Sequence, residues 1–267
     1  MSNHRKSGTT HLLTWGLALT VILVTGSPAL PAQHKTTVSD QEVTCAVCGE
    51  TSTFPVLNST NSMGYADLDT RPPEMQRSTM PMWVQRCPGC GYCSSDISYA
   101  DKGVKEIVES DEYQTQLSDP AFPELADTFL CKAIIDEAQE SHSLAGWDCL
   151  HAAWVCDDAG SESASTCRLR AIGFFQTGME EQQEIFEDPE PGAVYAFLAD
   201  ILRRAGAFDR ARDACQAGLE EEPEGMTADL INFQLALINN SDSACHTLEE
   251  VLQPEDTARH HTKGSSL

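Results

Sequence analysis

Four cysteines of this chain form two matched pairs, Cys45-Ala-Val-Cys48 and Cys87-Pro-Gly-Cys90, and a glycine follows each pair. Two Cys-x-x-Cys pairs can place four thiolates around one tetrahedral Zn²⁺ ion. The glycine after each pair can adopt a positive φ, so that the backbone turns beneath the metal and its N–H groups point at the sulfur atoms. The spacing therefore predicts a metal centre with zinc as the cofactor and Cys45, Cys48, Cys87 and Cys90 as its ligands.

Two other interpretations of these pairs remain open, a pair of disulfides and a redox-active dithiol. The redox interpretation is disfavoured because the pairs are matched and no βαβ pattern surrounds either of them. Cys93 is a further thiol three residues beyond Cys90, and we expect it to pack beside the site rather than to bind the metal. Four cysteine ligands leave no open position on the metal, whereas a catalytic zinc keeps one.

The charge of the chain excludes one class of partner. Its 267 residues include 17 Lys and Arg and 41 Asp and Glu, which gives a net charge of −24. A protein that binds nucleic acid needs a basic surface for the phosphates, so we expect no nucleic-acid partner. The acidic clusters, such as Glu220-Glu-Glu222, are interpreted as solvated helix ends.

The N-terminal residues have the layout of a secretory signal peptide. A basic start precedes an apolar run of 13 residues at positions 12–24, and small, helix-breaking residues follow as far as Ala32. A membrane span needs about 20 apolar residues, so the sequence favours a cleaved signal peptide at 1–32 over a retained anchor. We expect a secreted or periplasmic protein, with an N-terminally membrane-anchored one as the alternative. Such compartments favour disulfides over free thiols, although bound zinc would protect its thiolates.

The two cysteine pairs define a predicted zinc ribbon at residues 44–101, which follows a polar linker at 33–43. A polar insertion at 58–78 interrupts the ribbon. Its mixture of charged and apolar side chains predicts part of a partner-binding surface, and a plain solvated loop is the alternative. These side chains are Tyr65, Asp67, Asp69, Arg71, Met75 and Arg77. Pro55 requires an edge position in its strand. The predicted strands are residues 51–57, 80–86 and 92–99.

From residue 124 onward the apolar residues recur at three- and four-residue steps, which is typical of amphipathic helices. Residues 124–256 are therefore predicted to be helical, and a disordered tail is predicted at 257–267. The predicted fold class is α+β, mostly α, with a small N-terminal zinc ribbon followed by helical hairpins. The predicted helices are residues 124–139, 144–156, 161–179, 193–204, 209–221 and 228–237, with a weaker one near 243–252.

One unit of the helical region, residues 192–225, resembles a tetratricopeptide repeat. It has Gly206, Ala211 and Pro223 at the offsets of that repeat, and it departs from the repeat only by small or apolar replacements. A second unit, residues 126–159, aligns more weakly. Stacked helix pairs of this kind bury a shared core and present a concave surface. An unrelated helical bundle of the same periodicity is the alternative.

Six further cysteines fall in the predicted helices, where a buried small hydrophobic residue is the default interpretation. Disulfides among them stay open, because sequence alone cannot assign the pairs. The six are Cys131, Cys149, Cys156, Cys167, Cys215 and Cys245.

Several stretches resemble an uncharacterised bacterial family that joins a zinc ribbon to tetratricopeptide-like helical repeats and includes exported members. The resemblance covers about residues 43–222. It implies metal binding at the four paired cysteines and brings no known activity with it. The matching stretches are Thr44-Cys-Ala-Val-Cys-Gly49, the run at 59–64, Trp83-Val-Gln-Arg-Cys-Pro-Gly-Cys-Gly-Tyr92 and His151-Ala-Ala-Trp-Val-Cys-Asp-Asp158.

The sequence lacks a convincing catalytic motif, with no His-Glu-x-x-His, Gly-x-Ser-x-Gly or phosphate-binding glycine loop. We expect a non-catalytic, exported interaction module in which ribbon and repeats together hold a protein or peptide partner. The alternative is a thiol–disulfide or metal-handling enzyme of the cell envelope that uses Cys93, and a perturbed Cys93 thiol would favour it. A structural part of an envelope assembly is the third hypothesis. A membrane is expected as a partner only if the N-terminal segment is retained as an anchor.

Overall fold

The computed structural model describes residues 36–253, and in that range the chain is mostly helical with two small antiparallel strand pairs. The predicted signal peptide at 1–32 and the predicted tail at 257–267 lie outside the described residues. The strands are β1 (Thr37–Thr44), β2 (Thr51–Ser59), β3 (Gln85–Arg86) and β4 (Cys93–Ser94). The α-helices are α1 (Glu74–Arg77), α2 (Val104–Val108), α3 (Asp111–Gln116), α4 (Glu124–Ala138), α5 (His142–Asp158), α6 (Ala164–Glu180), α7 (Ala193–Arg204), α8 (Phe208–Glu220), α9 (Gly225–Asn239) and α10 (Leu248–Leu252).

β1 and β2 form an antiparallel hairpin, and the first cysteine pair occupies the turn between them. The strand predicted at 51–57 is confirmed as β2, and its Pro55 lies in a sheet that consists of edge strands alone. The linker predicted at 33–43 is wrong from residue 37 onward, because those residues form β1. Only Val43 is buried in β1, so this strand lacks the alternation of buried and exposed residues that would have revealed it.

β3 and β4 flank the second cysteine pair in the same way, with Arg86 paired to Cys93. The strands predicted at 80–86 and 92–99 are therefore much too long. A 3₁₀ turn at Met80–Met82 replaces the start of the first one. Pro81 stands in the first turn of that segment, where its missing N–H leaves no hydrogen bond unmade.

The helices predicted from apolar periodicity are confirmed, with ends displaced by at most a few residues. The weakest of them, predicted near 243–252, is reduced to the five residues of α10. Helices α2 and α3 were not predicted, because five and six residues are too few to show a period. α3 begins after Ser110, whose hydroxyl accepts a hydrogen bond from the N–H of Tyr113 at 3.3 Å.

α5 is the central helix of the core, since it packs against α4 and against α6. Eleven of its 17 residues are buried, so it lacks the single apolar face of a surface helix. Its Gly146 permits a close approach to α6, because a Cβ there would lie 2.6 Å from a ring carbon of Phe175. The apolar core of the chain is built around this helix.

α7 and α8 pack as a pair and are joined by a turn at Gly206, which has a φ of 78°. The small residues predicted at their contact are buried: Ala199 and Ala211 are completely inaccessible to solvent. Gly218 of α8 allows an equally close approach to the next helix, because a Cβ there would lie 2.9 Å from Ile231. Between residues 36 and 253, no helix combines the length and the apolar character needed to span a bilayer.

Candidate metal centre

The four paired cysteines meet at one point, with all of their sulfur atoms within 4.8 Å of one another. The Sγ atoms of Cys45 and Cys90 are 3.7 Å apart, and those of Cys48 and Cys87 are 3.5 Å apart. Cys45 and Cys87 are almost completely buried, whereas Cys48 is exposed and gives a route of entry from solvent. The structure thus brings together the complete ligand set that the sequence predicted.

The two turns that carry these cysteines have the same backbone construction. The N–H of Gly49 donates to the carbonyl of Cys45 at 2.8 Å, and the N–H of Gly91 donates to that of Cys87 at 2.9 Å. Both glycines have left-handed φ values, 77° and 78°, as the sequence predicted. Gly91 has a second reason to lack a side chain, because a Cβ there would lie 2.3 Å from Leu117.

Backbone N–H groups inside each turn point at the first sulfur. The N–H groups of Cys48 and Val47 donate to the thiol of Cys45, and those of Cys90 and Gly89 donate to Cys87. Burial raises the pKa of Cys87, but these N–H groups together with the thiols of Cys48 and Cys45 outweigh burial and hold the pKa below its ordinary value. At Cys45 burial outweighs the N–H groups, and the pKa is raised. An anionic sulfur is the form that binds a metal, so the second turn favours ligation at Cys87.

The donor set and its spacing fit a tetrahedral metal ion. Metal–sulfur bonds of about 2.3 Å in a tetrahedron separate the ligand sulfurs by about 3.8 Å, which is close to the two separations observed here. Four thiolates select zinc or iron over hard cations such as calcium or magnesium. The site can therefore hold one metal ion, and with four protein ligands it leaves no position for a substrate.

Cys93 lies in β4, outside the four-sulfur cluster, and is fully buried. Its thiol donates to the carbonyl of Gly91 at 3.2 Å and also contacts the thiol of Cys131 in α4. The hydroxyl of Tyr113 accepts from the N–H of Cys93 at 2.9 Å. Burial raises the pKa of Cys93, but the hydrogen bonds of Cys131 and Tyr113 outweigh burial and lower it.

The insertion at 58–78 is not a plain solvated loop, because its middle pairs with the chain near α10. The N–H of Leu68 donates to the carbonyl of His246, and the N–H of Leu248 donates to that of Ala66, both at 2.9 Å. These bonds make a short antiparallel bridge between residues 178 or more positions apart in sequence. The bridge attaches the insertion to the end of the helical region.

A buried carboxylate attaches the same segment to α5 and α7. Asp69 is completely inaccessible to solvent, and its Oδ2 accepts from the indole N–H of Trp154 at 2.9 Å and from Arg204 Nη1 at 2.8 Å. Burial raises the pKa of Asp69, and the Arg204 guanidinium opposes that rise. A buried carboxylate needs such partners, because an unpaired charge in the interior is very costly.

A second set of ion pairs surrounds the end of α5. Asp157 accepts from Arg168 at 3.1 Å and from Arg204 at 2.6 Å, and Arg71 of the insertion pairs with the neighbouring Asp158. Three side chains that the sequence assigned to a partner surface, Asp67, Asp69 and Arg71, are buried against the chain itself. The outer part of the insertion does stay exposed, including Met63 and Tyr65.

His151 lies in α5 inside a cage of aromatic rings. Its ring centroid is 5.3 Å from that of Trp83, 5.2 Å from Phe129 and 5.0 Å from Trp154. Burial, together with the positive charge of Lys132, lowers the pKa of His151 to about 3. The imidazole is therefore neutral near pH 7 and packs, partly buried, among these rings.

Sequence reasoning found the metal ligands but missed the ion pairs and the aromatic cage. The stretches that carry the family resemblance contain Trp83, His151, Trp154 and Asp158, and the structure brings the first three together. Of the six helical cysteines, five are buried as predicted. Cys245 is the exception, since it is exposed and precedes α10 rather than lying within a helix. All eleven cysteines lie in the described range and are free thiols.

Comparison with known proteins adds no relative to these observations. The resemblance to a bacterial family of ribbon-and-repeat proteins therefore stays a prediction based on the motifs themselves. No protein-family model, no curated protein and no solved structure matches this chain.

Proposed function

We propose that this protein is an exported, non-catalytic interaction module in which one zinc ion holds together the two turns of a small ribbon, which packs on a scaffold of tetratricopeptide-like helical hairpins. The partner is a protein or a peptide. Zinc is chosen over iron because a closed four-cysteine site of two Cys-x-x-Cys turns is the usual structural zinc site. The paired helices α7 and α8, with their small contact residues, support the repeat assignment.

The observation that carries this proposal is the completeness of the four-sulfur cluster. Its four thiolates occupy every position of a tetrahedral ion, so the metal cannot polarise a substrate or activate water there. The turns around it are anchored to α3 through Tyr113, and the insertion is anchored to α5 and α7 through Asp69. A metal held in this way stabilises the position of a surface and performs no reaction.

A specific observation favours the second candidate, an envelope thiol–disulfide enzyme. The thiol of Cys93 has a lowered pKa and contacts a second thiol, Cys131, which is the pairing a dithiol enzyme requires. Against this candidate, both sulfurs are fully buried, whereas a reactive cysteine must reach its substrate. We therefore favour the interaction module over the thiol–disulfide enzyme as the function of this protein.

The test uses the intact, metal-loaded protein and one conservative variant, Cys93→Ser. Each protein is cross-linked in the native host to the proteins that it contacts, and the captured partner is identified. That partner is then produced separately and titrated against each of the two proteins by calorimetry. We expect saturable binding of one partner with the same affinity for both proteins. In parallel, both are assayed for reduction of a disulfide-bonded protein by a dithiol.

The two candidates give opposite results in this pair of assays. An interaction module binds its partner and shows no turnover with or without Cys93. Turnover that is lost in Cys93→Ser would overturn the non-catalytic proposal and establish the enzyme. Failure of the purified partner to bind the intact protein would also count against the module.

A further inference from the structure

A groove of about 790 Å³ is lined by residues of α3, α4, α5 and α6. Its two walls are α4 and α6, its floor includes Cys149 of the central helix α5, and α3 lies along one end. That end is bridged by Arg170 of α6, which donates to Gln116 of α3 at 2.9 Å. This volume lies in the range of sites that hold small ligands or short peptide segments, about 300–1,000 Å³.

Each wall presents one helical face to the groove. α4 contributes Leu130, Ala133, Ile134 and Glu137, and α6 contributes residues 170, 173, 174 and 177. Both sets follow the i, i+3, i+4, i+7 spacing of a single face. The middle of each face is apolar or small, and Ile134 and Phe174 remain only half-buried. The groove thus offers an apolar strip that no part of residues 36–253 covers.

A glycine in the wall of α6 has no explanation in the packing of the chain. Glycine in a helix interior costs about 1 kcal/mol relative to alanine, so it usually marks a position where a Cβ does not fit. At Gly146 and Gly178 a Cβ would lie 2.6 Å from a neighbouring side-chain atom. At Gly173 a Cβ would meet no atom within 4 Å. The space that a side chain at this position would fill is the groove itself.

The charge around the groove selects the kind of ligand. Four carboxylates line it, from Asp111, Glu112, Asp119 and Glu137, against the single cation of Arg170. That cation is already engaged, because its guanidinium also lies 5.5 Å from the ring centroid of Phe122. An acidic rim around an apolar strip is complementary to a segment that alternates basic and apolar side chains.

We propose that this groove is the docking site for a basic peptide segment of another protein, with an apolar side chain seated beside Gly173 and basic side chains against the acidic rim. The inference rests on the proposed function and specifies the surface and the partner chemistry. A second copy of this chain is a poor occupant, since a net charge of −24 on each copy opposes their association.

The test measures fluorescence anisotropy with two labelled peptides and the intact, metal-loaded protein. In the first peptide lysine alternates with phenylalanine, and in the second glutamate replaces each lysine. We expect saturable binding of the lysine peptide at one site per chain, weakened by added salt, and no binding of the glutamate peptide. Absence of saturable binding by the lysine peptide would overturn the proposal.

Gly173→Leu tests the apolar strip. Leucine fits the helix better than glycine does, so the variant is expected to fold and to unfold at a higher temperature than the natural chain. Its side chain fills the groove, and we expect the affinity for the lysine peptide to fall at least about tenfold. Unchanged affinity in this folded variant would overturn the site.

A matched pair of charge reversals tests the acidic rim. Glu137→Lys and Glu220→Lys both change an exposed glutamate in the last turn of a helix, α4 and α8 respectively, and alter the net charge equally. We expect Glu137→Lys to weaken the lysine peptide several-fold and Glu220→Lys to leave it nearly unchanged. Equal effects would show that net charge alone attracts the peptide and would overturn the groove. Such a result would leave the proposed function standing, because the partner would then bind elsewhere.

Discussion

The β1–β2 hairpin of the ribbon and the helical region of this protein bury very different fractions of their residues. In β1 only one of eight residues is buried, whereas eleven of the 17 residues of α5 are buried. Burial of apolar area is the main favourable term in folding, and the β1–β2 hairpin has little of it. We therefore propose that the β1–β2 hairpin depends mainly on the metal for its stability and the helices on their core, which Met80, Val84, Tyr92 and Ile97 of the ribbon share.

The insertion at 58–78 belongs to the ribbon by sequence but to the helices by its contacts. It lies between the two metal-binding turns, yet Asp69 and Arg71 are anchored on α5 and α7. On this proposal the chain leaves the metal-dependent β1–β2 hairpin, contacts the helical region and then returns to the second metal-binding turn. Variants in the two regions are expected to separate these dependencies.

The largest effect is expected from Cys45→Ser combined with Cys87→Ser. Structural zinc sites contribute on the order of 10–16 kcal/mol in small zinc peptides. We expect the variant to lose its metal and the amides of β1 and β2 to lose protection from hydrogen exchange. The amides of Leu68 and Leu248 should stay protected, because their hydrogen bonds are anchored on the helical side.

Cys93→Ser is the matched control for this change, since Cys93 is close in sequence but outside the cluster. It should retain one metal ion and the natural exchange pattern of β1 and β2. If the double variant kept its full metal content, the ligand assignment would be wrong. If α4, α5 and α6 lost protection together with the ribbon, the two regions would not be independent.

A smaller loss of stability is expected from Asp69→Ala. This change leaves Trp154 Nε1 and Arg204 buried without their carboxylate, and removing one member of a buried pair costs about 3–5 kcal/mol. Urea unfolding measures the effect, with Asp213→Ala on the exposed face of α8 as a control that should stay within about 0.5 kcal/mol. Similar losses for the two variants would contradict the anchoring role of Asp69. The metal content of Asp69→Ala should remain that of the natural chain.

The smallest effect concerns the pH dependence of the helical core. In the unfolded chain His151 has its ordinary pKa of about 6.5. In the folded chain its pKa is about 3. Between these values the unfolded state holds more protons, so stability is lost as the pH falls. From pH 7.5 to pH 5 this one residue should contribute a loss of about 2 kcal/mol.

His151→Phe removes that contribution and keeps an aromatic ring in the cage. The variant should therefore lose about 2 kcal/mol less stability than the natural chain over the same pH interval, as measured by urea unfolding at both pH values. Groups such as Asp127 titrate in both proteins and cancel in the difference. If the two proteins lost the same stability over this pH interval, the pKa of His151 in the folded protein would be close to its ordinary value of about 6.5.

The sequence predicted the elements whose evidence is local. The metal ligands follow from spacings of two residues within each turn, and helices α4 to α9 follow from a repeated apolar period. β1 escaped prediction because its two faces are both exposed, so no alternation is imposed on its residues. α3 is too short for a period, although Ser110 followed by Asp111 and Glu112 is a helix-start signal that could have revealed it.

The docking of the insertion could not be predicted in this way. The hydrogen bond between Arg204 and Asp69 joins residues 135 positions apart, and that between Trp154 and Asp69 joins residues 85 apart. No local pattern encodes such a contact. A mixed polar segment looks the same in sequence whether its charges face water, a partner or the interior of its own chain, and for that reason Asp69 and Arg71 were assigned to a partner surface.

The most direct test of the central claim is metal analysis of the purified protein together with thiol counting. The account predicts one zinc ion per chain in the native protein. It also predicts eleven reactive thiols after denaturation with a chelator, because all eleven cysteines are free. A protein without bound metal, and with the four thiols of Cys45, Cys48, Cys87 and Cys90 missing from the count, would show that these residues form disulfides and would contradict the account.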